Sequence, residues 1–168
     1  MLRAFRSVFP SIDPTAYVDI SAQIIGDVHL GAESSVWMNV VIRGDVNYIR
    51  VGARSNVQDN SVVHVTPELP CIIGEGVTIG HRCVVHACTI GNNVRIGIGA
   101  VVLTGAVIED NAQVGAGALV PPGKVVPSGT LVMGVPAKPV RQMNEEELDD
   151  IRRNAREYLE LWQTDYRA

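Results

Sequence analysis

Residues 73–84 read IGEGVTIGHRCV, and residues 90–101 read IGNNVRIGIGAV. Both stretches place an aliphatic residue at every sixth position, often with a glycine directly after it and a small or β-branched residue four positions after it. A repeat this short is typical of a β-solenoid, in which each unit supplies one short strand and one turn and every coil packs against the next. The two stretches therefore predict a solenoid.

The same period extends over roughly residues 12–135. A β-sandwich would instead show two-faced alternation, with turns about every 8–12 residues. The period lengthens twice, between residues 42 and 51 and between residues 63 and 73, where we expect insertions at corners. The aliphatic positions are Ile12, Val18, Ile24, Leu30, Val36, Ile42, Val51, Val57, Val63, Ile73, Ile79, Val85, Ile90, Ile96, Val102, Ile108, Val114, Val120, Val126 and Val132.

This pattern resembles that of the hexapeptide-repeat proteins. The resemblance implies an all-β solenoid in the form of a left-handed parallel β-helix of triangular cross-section, with three hexads in each coil. It also implies a trimer as the common assembly. Neither the handedness nor the trimer follows from the repeat alone.

A different pattern follows the solenoid. Asn144 suits a helix N-cap, and Glu147 three positions later completes a capping box. The prolines of GVPAKPVR, residues 134–141, prevent the solenoid from continuing. We therefore expect a β-helix domain over residues 1–140 and a C-terminal amphipathic α-helix over residues 141–168, packed against the solenoid or a neighbour. The apolar side chains with helical spacing are Leu148, Ile151, Ala155, Tyr158, Leu159 and Trp162.

The composition argues against several classes of function. The formal net charge is -4 and the Lys and Arg residues are scattered, so the basic patch of a nucleic-acid-binding protein is not expected. Cys71, Cys83 and Cys88 lack CxxC spacing, which argues against a disulfide framework and suits a reducing compartment. No apolar run approaches the ~20 residues that span a bilayer, and the N-terminus lacks the apolar stretch of a signal peptide. We expect a cytoplasmic protein that does not enter the membrane.

Two of the four histidines follow inward aliphatic residues of one predicted face: His64 follows Val63, and His86 follows Val85. They should therefore point outward and stack in successive coils, in one column with Arg43. Neighbouring strands lie ~4.8 Å apart, which lets two imidazoles bind one ion at Zn–N distances of about 2.0–2.1 Å. We predict that these two histidines form the intrachain part of a metal site.

A third histidine, His81, lies near the preceding corner, in one column with Asp59 and beside Gln58. His81 and His86 diverge around this corner, so we expect that they do not share a metal ion within one chain. In a cyclic trimer, the face that carries His64 and His86 can meet the His81 corner of the next chain. Three imidazoles and one open position are the composition of a catalytic zinc site. The alternative is that all three are ordinary surface residues.

Three segments resemble the gamma-class carbonic anhydrase family, in its branch of short bacterial homologues. The resemblance covers nearly the whole chain and implies a homotrimer with metal sites at the subunit interfaces. The implied reaction is attack of a metal-bound hydroxide on carbon dioxide to give bicarbonate, with Zn²⁺ as the metal and Fe²⁺ or Co²⁺ as alternatives. The segments are VIRGDVNYIRVGARSNVQDNSVVHV (41–65), IGHRCVVHACTIG (79–91) and GVPAKPVR (134–141).

The resemblance implies roles for particular side chains. His64, His81 and His86 match the metal ligands. Arg43 and Asp59 match a salt bridge between subunits, and such a pair can also support the ligands from outside.

Other side chains match positions around the ligands. Gln58 matches the residue that hydrogen-bonds the metal-bound hydroxide, and Asp45 matches the acid that follows Arg-Gly. Tyr158, on the predicted helix, is a candidate for substrate contact, with helix packing as the alternative. The archetypal active member has a glutamate directly after Arg-Gly-Asp and a proton-shuttle glutamate in an acidic loop. Those places hold Val46 and the insertion TPELP, whose one acid is Glu68, so the usual proton-shuttle glutamates are absent.

Three other functions fit the solenoid. A CoA thioesterase would use the same metal hydroxide. A hexapeptide acyltransferase needs a single histidine base, which leaves two histidines and Gln58 without a role, and GVPAKPVR occurs in that class as well. A non-catalytic metal-binding scaffold is favoured by the absent glutamates and opposed by the intact set of ligands.

Overall fold

The hexad pattern forms a left-handed parallel β-helix followed by one α-helix, as predicted, in the computed structural model, which describes residues 1–166. The α-helix, α1, spans Glu145–Leu161 and continues into a π-helical turn at Trp162–Tyr166. The strands are β1 Leu2–Arg3, β2 Ser11–Ile12, β3 Tyr17–Val18, β4 Gln23–Leu30, β5 Ser35–Val36, β6 Val41–Val51, β7 Asn56–Val57, β8 Val62–His64, β9 Cys71–Ile73, β10 Thr78–Ile79, β11 Val84–His86, β12 Thr89–Ile90, β13 Arg95–Ile96, β14 Val101–Val102, β15 Val107–Ile108, β16 Gln113–Val114, β17 Leu119–Val120, β18 Val125–Val126, β19 Thr130–Met133 and β20 Lys138–Gln142.

Hydrogen bonding joins the strands into two sheets, and the larger sheet bends at β4 and β6 into two faces, so that the solenoid has three faces. The histidine face consists of β8, β11, β14, β17 and the first part of β6. The rear face consists of β9, β12, β15, β18 and the last part of β6, and the helix face consists of β3, β5, β7, β10, β13, β16 and β19. Strand β6 turns a corner, because its residues 41–43 pair with β8 while its residues 49–51 pair with β9.

Inward aliphatic residues of successive coils build the core of the solenoid. The register partners are Ile42, Val63, Val85 and Val102 on the histidine face, and Val36, Val57, Ile79 and Ile96 on the helix face. All of them are fully buried, which contributes about 1.5–3 kcal/mol for each side chain. This register confirms the expectation of three hexads in each coil, and the outward residues next to these columns stack as well.

Left-handed backbone conformations build the corner between the helix face and the histidine face. Glycine and asparagine adopt this region readily, whereas it costs other residues about 1–2 kcal/mol. One residue in each of five successive coils has a φ between 58° and 69°: Asn39, Asn60, Arg82, Gly99 and Gly117. The tight turn at Arg82 fixes the position of its neighbour His81 at this corner.

The two interruptions of the period lie together at the corner between the histidine face and the rear face. In the first, residues 45–48 of β6 form a bulge, because the pairing with β4 shifts register between Gly26 and Val28. In the second, residues 65–70 form a loop between β8 and β9. The expectation of insertions at corners is confirmed, and both insertions border the end of β8, where His64 lies.

Helix α1 begins where the sequence predicts. The Asn144 side chain accepts a hydrogen bond from the Glu147 N–H at 2.9 Å, and the Glu147 carboxylate accepts one from the Asn144 N–H at 3.0 Å, which completes the capping box. Ile151 of α1 is buried. Arg95 of the helix face donates a hydrogen bond to Asp150 Oδ2 of α1 at 2.8 Å. No helix within residues 1–166 is long and apolar enough to cross a lipid bilayer.

Strand β20 connects the solenoid to α1. It lies antiparallel to β19 and runs across residue 140, so the division into residues 1–140 and 141–168 stays a prediction. Arg167 and Ala168, at the end of the predicted helical segment, lie outside the described residues.

Candidate metal centre

Strand pairing brings His64 and His86 together. They are register partners in β8 and β11, as the hexad period predicts, and His64 Nδ1 lies 3.3 Å from His86 Nε2. The other ring nitrogens have different partners: Asp45 Oδ1 lies 3.1 Å from His64 Nε2, and Thr104 Oγ1 lies 2.9 Å from His86 Nδ1. Each imidazole is therefore fixed by an outer partner and turns its second nitrogen towards the other imidazole.

This arrangement fits a metal ion. Two imidazole ligands of one tetrahedral zinc ion, at Zn–N distances of about 2.0–2.1 Å, have their nitrogens about 3.3 Å apart, as His64 Nδ1 and His86 Nε2 are. Burial lowers the pKa of His86, and the neighbouring charges of His64 and Arg43 lower it further. The neutral imidazole, which is the form that binds metal, is thereby favoured.

Asp45 links Arg43 to His64. Its carboxylate accepts hydrogen bonds from Arg43 and, through Oδ1, from His64 Nε2. Burial raises the pKa of Asp45, but hydrogen bonds from Arg43, His64 and the Val46 N–H outweigh it, and the net shift of the pKa is downward. The charged carboxylate selects the His64 tautomer with the proton on Nε2. His64 Nδ1 is then the unprotonated nitrogen, which can bind a metal ion.

His81 lies at the corner that precedes the histidine face. Asp59 Oδ2 lies 2.9 Å from His81 Nδ1, and the Tyr158 hydroxyl of α1 lies 3.5 Å from His81 Nε2. The predicted column of Asp59 and His81 is confirmed. Because Asp59 holds Nδ1 of His81, the nitrogen of His81 that can bind a metal ion is Nε2, which lies beside Tyr158.

The three histidines border one face from opposite sides. His81 precedes β11, whereas His64 and His86 end β8 and β11. In the single chain, residues 1–166 contain no group of three or more His, Cys, Asp or Glu side chains with metal-binding geometry. Arg43 and Asp59 likewise have separate partners within the chain, Asp45 and His81. The predicted salt bridge between Arg43 and Asp59 of two subunits therefore stays a prediction.

Gln58 is buried at the same corner in a chain of polar side chains. Its Nε2 donates to Asn56 Oδ1 at 3.1 Å, and Asn56 Nδ2 donates to Thr78 Oγ1 at 3.0 Å. This network orients the amide and reserves Gln58 Oε1 as an acceptor. Asn56, Thr78 and also Thr104 were not predicted from the sequence, although outward positions in adjacent coils are a signal that could have found Asn56 and Thr78.

A cavity of about 420 Å³ lies between α1 and the helix face. Gln58, His81 and Tyr158 line it, and Arg95 and Glu157 also border it. Burial raises the pKa of Tyr158, as does the charge of Asp59, so the hydroxyl stays protonated at neutral pH. The cavity thus reaches His81 and Gln58 directly.

An aromatic contact holds Tyr158 at this cavity. The Trp37 and Tyr158 rings meet edge to face with centroids 5.3 Å apart. Trp37 is buried, and its Nε1 donates to Ser35 Oγ at 3.0 Å. Tyr158 therefore contributes both to helix packing and to the surroundings of His81.

Comparison with known proteins gives consistent matches. Residues 87–122 match the family of bacterial transferase hexapeptides (six repeats). The chain is 45% identical over 97% of its length to a carbonic anhydrase of Geobacillus kaustophilus, of which it covers 90%. It is 44% identical over 96% of its length to the mitochondrial gamma carbonic anhydrase 1 of Arabidopsis thaliana, of which it covers 62%. A solved hexapeptide transferase family protein from Anaplasma phagocytophilum has a TM-score of 0.94 and 44% identity, with 98% of this chain and 97% of that chain covered.

Proposed function

We propose that this chain, which belongs to the gamma carbonic anhydrase family, is a metal-dependent enzyme that hydrates carbon dioxide to bicarbonate. The observation that carries the proposal is the 3.3 Å separation of His64 Nδ1 and His86 Nε2. Outer partners fix both rings in the orientation that a shared metal ion requires.

We propose a homotrimer in which His81 of a neighbouring copy is the third ligand. An outward apolar column on the histidine face supports this assembly. Apolar side chains that form a continuous patch on the surface favour contact with another copy, which removes them from water. The column consists of Val41, Val62, Val84, Val101 and Leu119, which are register partners. Since His81 lies at the start of this face and His86 at its end, a threefold axis beside the face brings the two edges of neighbouring copies together.

The ligand atoms follow from the outer contacts: His64 Nδ1, His86 Nε2 and His81 Nε2. Zn²⁺ suits three imidazoles, and Fe²⁺ or Co²⁺ are alternatives. When bound, such a metal would lower the pKa of its bound water to about 7 and would supply a hydroxide nucleophile at neutral pH. Gln58 Oε1 accepts a hydrogen bond that orients the attacking oxygen, and the Tyr158 hydroxyl contacts the substrate.

The outer groups keep the ligands in place. Asp45 and Thr104 hold the rings of the intrachain pair, and Asp59 holds His81. Carboxylate or hydroxyl partners of this kind raise the basicity of a histidine ligand and fix its orientation. In the trimer we propose that Arg43 of one copy also meets Asp59 of the next, which joins the two halves of the site.

One observation favours a larger substrate as a second candidate. The 420 Å³ cavity beside His81 falls in the range of about 300–1,000 Å³ that is typical of sites for small organic ligands. An acyl-CoA thioester could be hydrolysed there by the same hydroxide, with water added and a carboxylate and a thiol released. The His81–Asp59 pair also suits the single base of an acyltransferase, and the name of the Anaplasma relative is that of a hexapeptide transferase family protein.

Activity measurements on one preparation separate these functions. The full chain is purified anaerobically and its metal content is determined, with about one ion per chain expected. Carbon dioxide hydration is followed by stopped-flow with a pH indicator, and short acyl-CoA hydrolysis is followed by thiol release. We expect hydration that His81→Ala abolishes. Thiol release without carbon dioxide hydration would support the thioesterase. Bound metal without either activity would support the metal-binding scaffold.

Thr104 offers a test of the outer contacts. Thr104→Val keeps the shape of the side chain and removes the oxygen that lies 2.9 Å from His86 Nδ1. We expect metal affinity, measured by competition with a chelating dye, to fall by about tenfold. Thr89→Val, the same change at an exposed site on the rear face, should leave the affinity unchanged. Equal affinities for both variants and the original protein would contradict the role of Thr104.

A further inference from the structure

A second cleft lies along the opposite side of α1 from the cavity at His81. One part, of about 230 Å³, is lined by Arg54, Gly76 and Asn93 of the solenoid and by Arg152, Ala155, Arg156 and Leu159 of the helix. The adjoining part, of about 440 Å³, is lined by Arg54, Glu75, Gly76, Asn92 and Asn93. The two parts share Arg54, Gly76 and Asn93 in their lining and therefore adjoin, and we call them together the arginine cleft.

The charges in the arginine cleft are not balanced within the chain. Arg54 pairs with Glu75 at 2.8 Å, and Arg152 pairs with Asp149 at 2.9 Å. Arg156 has no hydrogen bond or ion pair among residues 1–166. Arg152 and Arg156 are also four positions apart on one helix, where like charges repel each other.

Local geometry keeps the arginine cleft open. Gly76 has a φ of +63°, and a Cβ at this position would lie 2.9 Å from Asn93 Oδ1. A larger residue would therefore be strained and would press against the Asn93 side chain. Two of the three guanidinium groups are already paired with carboxylates, so Arg156 supplies the unmatched positive charge of the arginine cleft.

We propose that the arginine cleft binds a phosphate group, either free phosphate or the phosphate of a small phosphorylated metabolite. A phosphate carries a charge of about -1.5 to -2 at neutral pH, which matches several guanidinium groups better than the single charge of a carboxylate does. The planar fork of arginine donates two parallel hydrogen bonds to a phosphate. The polar part of the cleft around Asn92 and Asn93 has room for the body of a small molecule.

Such a ligand would tie the helix to the solenoid. Arg54 and Asn93 belong to the solenoid, whereas Arg152 and Arg156 belong to α1, so one phosphate group bridges the two. We expect binding to slow amide hydrogen exchange in residues 145–161, because a ligand that binds only the docked helix opposes its opening. This effect distinguishes the arginine cleft from loose counterion binding elsewhere on the surface.

Titration calorimetry on the full, metal-loaded chain tests the proposal, with inorganic phosphate, ribose 5-phosphate and ribose as probes. We expect saturable binding of a phosphate-containing probe, no binding of ribose, and affinity about tenfold lower for Arg156→Gln and for Arg54→Gln. Lys124→Gln, at an exposed lysine elsewhere on the solenoid, should bind normally. Tighter binding of ribose 5-phosphate than of phosphate assigns the arginine cleft to a metabolite, and the reverse assigns it to free phosphate.

A second variant separates this proposal from the metal centre. His81→Ala removes the proposed third metal ligand and should keep both the phosphate affinity and the slowed exchange of α1. Loss of binding in His81→Ala would place the phosphate at the metal instead and overturn the proposal. No saturation with either phosphate probe up to about 10 mM, or unchanged affinity in Arg156→Gln, would overturn it as well.

Discussion

Mixed trimers of His81→Ala and His64→Ala chains are expected to regain metal that neither variant binds alone. Each variant by itself lacks one of three ligands at every interface, so we expect almost no bound metal. In a mixed trimer, one interface joins an intact His64–His86 pair from one chain to an intact His81 from the other. Metal analysis should therefore find about one ion per mixed trimer, against about three in the original protein, and carbon dioxide hydration should return in proportion.

A matched mixture makes this experiment specific. Trimers of His64→Ala and His86→Ala chains carry both substitutions on the same side of the interface, so every His64–His86 pair remains incomplete and no metal should return. The two chains are co-expressed with different affinity tags, and trimers that carry both tags are selected. Recovery of metal in this mixture, or its absence in the first, would contradict a site that is shared between copies.

The hexad period predicts contacts between neighbouring coils, because a solenoid of regular coils has one register. The column of His64 and His86 follows from counting residues within hexads, and strand pairing makes them partners. Asp59 and His81 follow in the same way and lie 2.9 Å apart. The sequence thus predicts which side chains meet within the chain, while their role as ligands stays a prediction.

The period does not predict contacts that depend on an insertion or on the helix. Asp45 reaches His64 because residues 45–48 bulge from β6, and the extra positions have no counterpart in the hexad count. Tyr158 reaches His81 across 77 positions of sequence, held by an edge contact with Trp37. Amphipathic spacing predicts which side of a helix is apolar, but it does not predict which face of the solenoid that side will cover.

Replacing Val84 by arginine is expected to dissociate the trimer and to release its metal. Val84 is 37% exposed in the single chain and lies in the middle of the outward apolar column of the histidine face. In the proposed trimer the substitution occurs three times around one axis, where each guanidinium group would lose water without gaining a partner. Removing an unpaired charge from water costs several kcal/mol, and the like charges repel as well.

The rest of the solenoid should tolerate this change, because the Val84 side chain points away from the core. Sedimentation velocity is expected to show single chains of 18.1 kDa with an unchanged circular dichroism spectrum, and metal analysis should show that the sites are empty. Val125→Arg places the same charge at an outward valine of the rear face, which is 47% exposed, and should leave both trimer and metal intact. If Val125→Arg dissociates the assembly and Val84→Arg does not, the copies meet through the rear face, and His81 cannot complete the site of its neighbour.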